Sequence, residues 1–117
     1  MQRHDPQLLK GVLSILLLRL LTERESYGYE LVQRLAEIGL PDVLEGTVYP
    51  ALARLEREGW VSTRLVPSSA GPARKYYRPA PAGYEQLATS TEAWRALVSV
   101  VEGVIERPIP DHPEPGA

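Results

Sequence analysis

The 117 residues include no cysteine, which excludes disulfide staples, thiol nucleophiles and cysteine-ligated metals, and fits a reducing compartment. Histidine is nearly absent too. His4 and His112 stand near opposite ends with no ligand-spaced partner, so no metal site is expected. There is no glycine-rich phosphate loop, no nucleophile beside a base and no paired carboxylates in an apolar setting. An enzyme is therefore not expected, and no catalytic residue or cofactor is assigned. A long uninterrupted apolar run is also missing. The most hydrophobic stretch, Leu8 to Leu21, is broken by Lys10, Gly11 and Arg19 and is too short and too charged to span a bilayer. A cytoplasmic protein is expected. Positive charge is not in excess either. The formal net charge is −2, which taken as a total argues mildly against a nucleic-acid partner.

What is present is an ordinary globular composition, 44% hydrophobic and 24% charged, in a chain long enough for one domain with a real core. The charge is unevenly spread. Between Thr47 and Pro79 stand Arg54, Arg57, Arg64, Arg74, Lys75 and Arg78 against only Glu56 and Glu58, while acids gather at Glu23, Glu25, Glu30, Glu37 and in the tail. One basic segment in an acidic chain is an electrostatic footprint.

Apolar periodicity divides the chain. Leu8 to Leu21 predicts a helix so apolar that it must be covered on nearly all sides, and a partner subunit would supply part of that cover. Ser26 is suited to cap a second helix in which Leu31, Leu35 and Ile38 repeat and Gly39 supplies the stop. Gly39 to Asp42 reads as a turn and Val43 to Gly46 as a short connection. Thr47 is expected to cap a third helix with Pro50 in its first turn, where the missing N–H costs nothing. Gly59 ends it. Val48, Leu52 and Leu55 share the core side of that helix. Thr47, Tyr49, Pro50, Ala53, Arg54 and Arg57 are left outward, the composition a groove-reading helix needs.

Trp60 to Val66 predicts a strand, Pro67 to Pro72 a six-residue loop, and Arg74 to Arg78 a second strand. From Pro81 a helix of about 25 residues carries Tyr84, Leu87, Thr91, Trp94, Val98, Val101 and Ile105 at alternating spacings of three and four, the a and d pattern of a helix that packs on another copy. Gly103 is a local weakness. Pro108 stops this helix, and the prolines and glycine up to Gly116 predict a disordered tail. The expected fold class is mainly α with a small β-wing. It comprises a winged helix-turn-helix over 1–80, a long C-terminal dimerisation helix over 81–107 and a Pro-rich tail over 108–117.

Several runs then stand out together: Leu8-Leu9-Lys10-Gly11, Tyr27-Gly28-Tyr29-Glu30-Leu31, Gly46-Thr47-Val48-Tyr49-Pro50-Ala51-Leu52, Arg54-Leu55-Glu56, Gly59-Trp60-Val61 and Arg74-Lys75-Tyr76-Tyr77. From about Leu8 to Trp94 the chain resembles the PadR family of transcriptional regulators, and its single last helix resembles the short branch that includes multidrug-sensing repressors. The resemblance implies a homodimer built mainly by the first and last helices. Such a dimer binds a pseudo-palindromic operator in double-stranded DNA and usually represses. One departure is Pro79-Ala80-Pro81-Ala82-Gly83, where the family often has a threonine before its helix.

For DNA contact the expected residues are Thr47, Tyr49, Pro50 and Arg54 on the third helix and Arg74 and Lys75 on the wing. The bland alternative for Arg54 is a surface pair with Glu58. Arg57 and Lys10 are placed at the margin, near the DNA backbone. One of Tyr76 and Tyr77 should face the core. Tyr27-Gly28-Tyr29 is read as packing the second helix on the third, with Gly28 allowing close approach. In the branch the chain resembles, a tryptophan near Trp94 lines an effector pocket at the dimer centre. Leu16 and Val98, with Leu97, would suit a planar hydrophobic ligand there; otherwise Trp94 simply anchors the dimer. The rival function is a winged helix used only for protein–protein contact. A DNA binder is expected to place Arg54, Arg74 and Lys75 on one surface.

Overall fold

The computed structural model describes residues 4–111. The chain runs α1 (Pro6–Glu23), β1 (Ser26–Tyr27), α2 (Gly28–Glu37), α3 (Glu45–Arg57), β2 (Val61–Ser68), β3 (Gly71–Pro79) and α4 (Pro81–Ile105). It is mainly helical with one small antiparallel sheet of strand order β1-β3-β2.

α1 starts where Asp5 accepts a bond from the Gln7 N–H at 2.8 Å and Pro6 occupies the first turn, a position that needs no donor. Its apolar surface is consumed unevenly. Leu13, Leu17, Leu18, Leu20 and Leu21 enter the core, while Leu8 stays exposed. α2 and α3 both end on a glycine with positive φ, Gly39 (111°) and Gly59 (78°). In each case two backbone bonds close the end: Leu40 N–H to Leu35 O with Gly39 N–H to Ala36 O, and Trp60 N–H to Leu55 O with Gly59 N–H to Glu56 O. This motif satisfies carbonyls that a helix end leaves orphaned, and a side chain other than glycine strains it.

The core gathers Leu17, Leu31, Leu35, Val48, Leu52 and Leu55, all fully enclosed between α1, α2 and α3, with Val61 and Tyr77 closing it from the sheet. Three local expectations are corrected. Ser26 does not cap α2. It lies in β1 opposite Tyr77, and its hydroxyl accepts from the Arg34 guanidinium at 2.9 Å; the cap position falls to Tyr27. Thr47 does not cap α3. The helix begins at Glu45, and the Leu44 carbonyl takes the first bonds from Thr47 and Val48. Pro50 is therefore the sixth residue of the helix rather than part of its first turn, and it leaves the Gly46 carbonyl without its intrahelical donor. Gly46 is exposed, so water can serve that oxygen.

The wing is tighter than the six-residue loop expected. Ser68 pairs with Gly71 across only Ser69 and Ala70, with a register shift at Pro67. A proline is tolerated there because β2 is an edge strand and the shift leaves its position outside the ladder. α4 is seated on Trp60, the residue just before β2. Ala80 N–H donates to the Trp60 carbonyl at 3.0 Å, and a Cβ on Gly83 would lie 1.9 Å from that same oxygen. The Pro79-to-Gly83 departure is thus the socket of the last helix. Gly83 is the sole buried residue of α4 among the described residues. His112 and the rest of the expected tail from 112 on lie outside the described residues.

Candidate nucleic-acid interface

On α3, successive residues turn by about 100°, and Val48, Leu52 and Leu55 define the buried direction. Gly46, Pro50, Ala53 and Arg57 then lie along the outermost line, with two flanks beside it. One flank, Thr47, Ala51 and Arg54, borders a groove against α1 that Lys10 also lines. The other, Tyr49 and Glu56, faces the wing.

The wing flank is closely organised. Tyr49, Arg74 and Lys75 line one cleft of about 560 Å³ together with Tyr27, Gly28 and Tyr77. Tyr49 is half exposed, and its ring lies directly on Gly28. The Arg74 guanidinium sits 4.6 Å from the centre of the Tyr27 ring, within cation–π range. Lys75 Nζ donates to Glu56 at 2.8 Å, joining the wing to the end of α3. That carboxylate raises the lysine above its ordinary pKa, so it stays charged at neutral pH. Tyr77 is the core-facing tyrosine of its pair at 6% exposure, and burial pushes its hydroxyl's pKa up.

Arg54 is set apart from these groups. It makes no ion pair with Glu58 among the described residues; its guanidinium instead lies 6.0 Å over the Trp60 ring. It lines a cavity between α1 and α4 that Trp94 and Leu97 also border. The six expected contact residues therefore divide into two groups: Tyr49, Arg74 and Lys75 around the wing cleft, and Thr47, Pro50 and Arg54 toward α1. Of the basic residues between 47 and 79, Arg64 is paired with Glu25 and Lys75 with Glu56; among the described residues, Arg54, Arg57, Arg74 and Arg78 form no ion pair. Arg57, marginal in the sequence, holds the outermost position of the helix.

Arg34 is a cation that sequence reasoning did not single out. It is buried, and it donates to Leu20 O (2.9 Å), Ser26 Oγ (2.9 Å) and Glu23 Oε1 (3.1 Å). Its work is structural: it caps the end of α1 and ties α1 to α2. A helical residue whose acceptors come from a carbonyl and two separate elements leaves no local sequence signal.

Trp94 and Leu16 border one small apolar depression of about 270 Å³. Val98 lies one turn further along α4 and is half buried. Among the described residues no cluster of histidine, aspartate and glutamate could hold a metal, and no helix is long and apolar enough to cross a membrane.

A family model described as the transcriptional regulator PadR-like family matches residues 17–89. The chain belongs to that family. The PadR-like chain is similar to a solved PadR-like transcriptional regulator from Bacillus cereus, with 37% identity over 87% of this chain and 99% of that one and a TM-score of 0.75. A transcriptional regulator from Streptococcus is 41% identical over 87% of this chain and 100% of its own, with a TM-score of 0.74. A PadR family regulator from Eggerthella lenta gives 32% identity, 87% and 88% coverage and a TM-score of 0.80. The PadR-like fold is the winged helix of a DNA-binding transcriptional regulator, with the β2–β3 hairpin as its wing.

Proposed function

We propose that this PadR-like chain is a cytoplasmic homodimeric repressor that binds a pseudo-palindromic operator and is released by a small hydrophobic molecule. Residues 1–80 serve as the DNA-binding unit and the helix expected over 81–107 as the dimerisation element. The observation that carries the DNA reading is the convergence of Tyr49, Arg74 and Lys75 from recognition helix and wing on one cleft. Thr47, Pro50 and Arg54 extend the contact surface toward α1, and the phosphate backbone meets the arginines that carry no ion pair.

The dimer reading is supported by α4, where Trp94, Leu97, Val101, Val104 and Ile105 stand in solvent. A partner copy contributing the same stripe covers them. Two recognition helices reach successive major grooves only when about 34–36 Å apart, and α4 sets that distance. A planar apolar effector lodged by Trp94, Leu16 and Val98 shifts the crossing of the two α4 helices and so releases the operator.

The test is titration of the purified protein against DNA from upstream of its own gene across a salt series. Sequence-selective binding whose log affinity falls linearly with log salt is expected. The net charge of −2 favours a second reading, a winged helix for protein contact. Binding indifferent to sequence, or absent at low salt, would select it.

A further inference from the structure

Tyr27 and Gly28 are neighbours in the chain, the last residue of β1 and the first of α2. One touches the wing and the other touches the recognition helix. We propose that this two-residue step is a seat that positions Arg74 and Tyr49 for DNA, with Tyr27 and Gly28 acting as positioning residues. The inference rests on the reading of Arg74 and Tyr49 as DNA contacts.

Arg74 stands on an exposed hairpin with no carboxylate partner among the described residues. A free arginine there samples many rotamers and loses that freedom when it meets a phosphate. The Tyr27 ring, 4.6 Å beneath the guanidinium, removes part of that loss beforehand. The ring is itself fixed. It packs edge-on against Tyr76 with 5.3 Å between centroids, its backbone pairs with that of Tyr76, and its N–H donates to Glu30 at 3.4 Å.

Gly28 acts by having no side chain. A Cβ there would stand 2.3 Å from Tyr49 Cε1, 2.7 Å from Cζ and 2.8 Å from the hydroxyl oxygen. All three atoms belong to the outer end of a half-exposed side chain, so alanine at 28 moves the Tyr49 ring rather than the backbone. Because the two supports are consecutive residues, one peptide unit sets the spacing between a wing contact and a recognition-helix contact. All four side chains or Cα positions face the same cleft.

The experiment measures affinity for the upstream duplex and for a scrambled duplex, with the melting temperature of every variant. Arg74→Ala and Tyr49→Ala are expected to weaken operator binding. Tyr27→Leu should weaken it about two- to fivefold, the range of an exposed cation–π contact, while Tyr27→Phe keeps wild-type affinity. Gly28→Ala should cost about tenfold against operator, equivalent to ~1.4 kcal/mol, with little change on the scrambled duplex. The decisive readout is coupling: Tyr27→Leu should add nothing to Arg74→Ala, and Gly28→Ala nothing to Tyr49→Ala. Undiminished effects in those backgrounds, or losses that follow the melting temperature, overturn the seat alone. Unchanged affinity in Arg74→Ala and Tyr49→Ala overturns the contact assignment and the seat with it. If Gly28→Ala does not fold, the Tyr27→Phe and Tyr27→Leu pair decides.

Discussion

Between α1 and β3, Leu17, Leu31, Leu35, Leu52 and Leu55 are completely shielded, and no buried side-chain polar atom among the described residues lacks a partner. Along α4 the proportions reverse: Leu97 is 60% exposed, Val100 64% and Ile105 67%. The two regions have similar apolar content but differ in what covers it. Three helices and a sheet enclose the core of the winged module, whereas α4, anchored at Gly83 and lying along α1 past Leu87, presents much of its apolar stripe to solvent. On the proposed function, the winged module is a finished fold and α4 is one half of an interface. Stability of the first would then be intramolecular, and that of the second would depend on protein concentration.

That contrast gives variants of graded severity. Val101→Asp places a charge in the α4 stripe and should produce a folded monomer with operator binding reduced more than about 100-fold, since single half-sites bind far more weakly than paired ones. Sedimentation and circular dichroism together would check it. Leu52→Ala opens a cavity in the finished core and should cost about 2–5 kcal/mol. Denaturant unfolding at two protein concentrations should show the same loss at both if the core is self-contained, and a concentration-dependent loss would break the comparison. Arg54→Ala should leave both core and dimer intact while operator binding falls by about 1–3 kcal/mol, the scale of one well-made base contact. Loss of the dimer in that variant would show that Arg54 serves the α1–α4 cavity instead. Smallest of all, Glu56→Gln frees Lys75 from its carboxylate and should raise DNA affinity about two- to threefold, as suits a half-exposed ion pair, with a steeper salt slope. A fall in affinity would mean that the pair's bracing of the wing matters more than the charge it masks.

Much of this architecture is legible in the chain. The continuous apolar run of α1, the Val48-Leu52-Leu55 face, the Gly39 and Gly59 stops and the long a/d run of α4 are local signals, and these survive without tertiary context. What was not legible depends on partners distant in the chain. β1 is two residues long and exists only because β3 offers Tyr76 and Tyr77 as partners, so Ser26 looked like a cap. The wing's prolines suggested a longer loop because the irregularity that accommodates Pro67 is a property of the paired strands. For the interface, residue types were readable but their grouping was not. A helical projection shows that Tyr49 and Arg54 point outward. It cannot show that Tyr49 meets Gly28 while Arg54 turns to Trp60, because those neighbours come from other elements. Nor does spacing reveal that Glu56 is engaged with Lys75 nineteen residues away.

The most direct test of the central claim is the mass of the complex formed on a duplex from upstream of the gene, by sedimentation at protein concentrations spanning saturation. Two chains per duplex, bound cooperatively, are expected, with Val101→Asp losing the complex. One chain per duplex at full wild-type affinity, or retention of the two-chain complex by Val101→Asp, would contradict it.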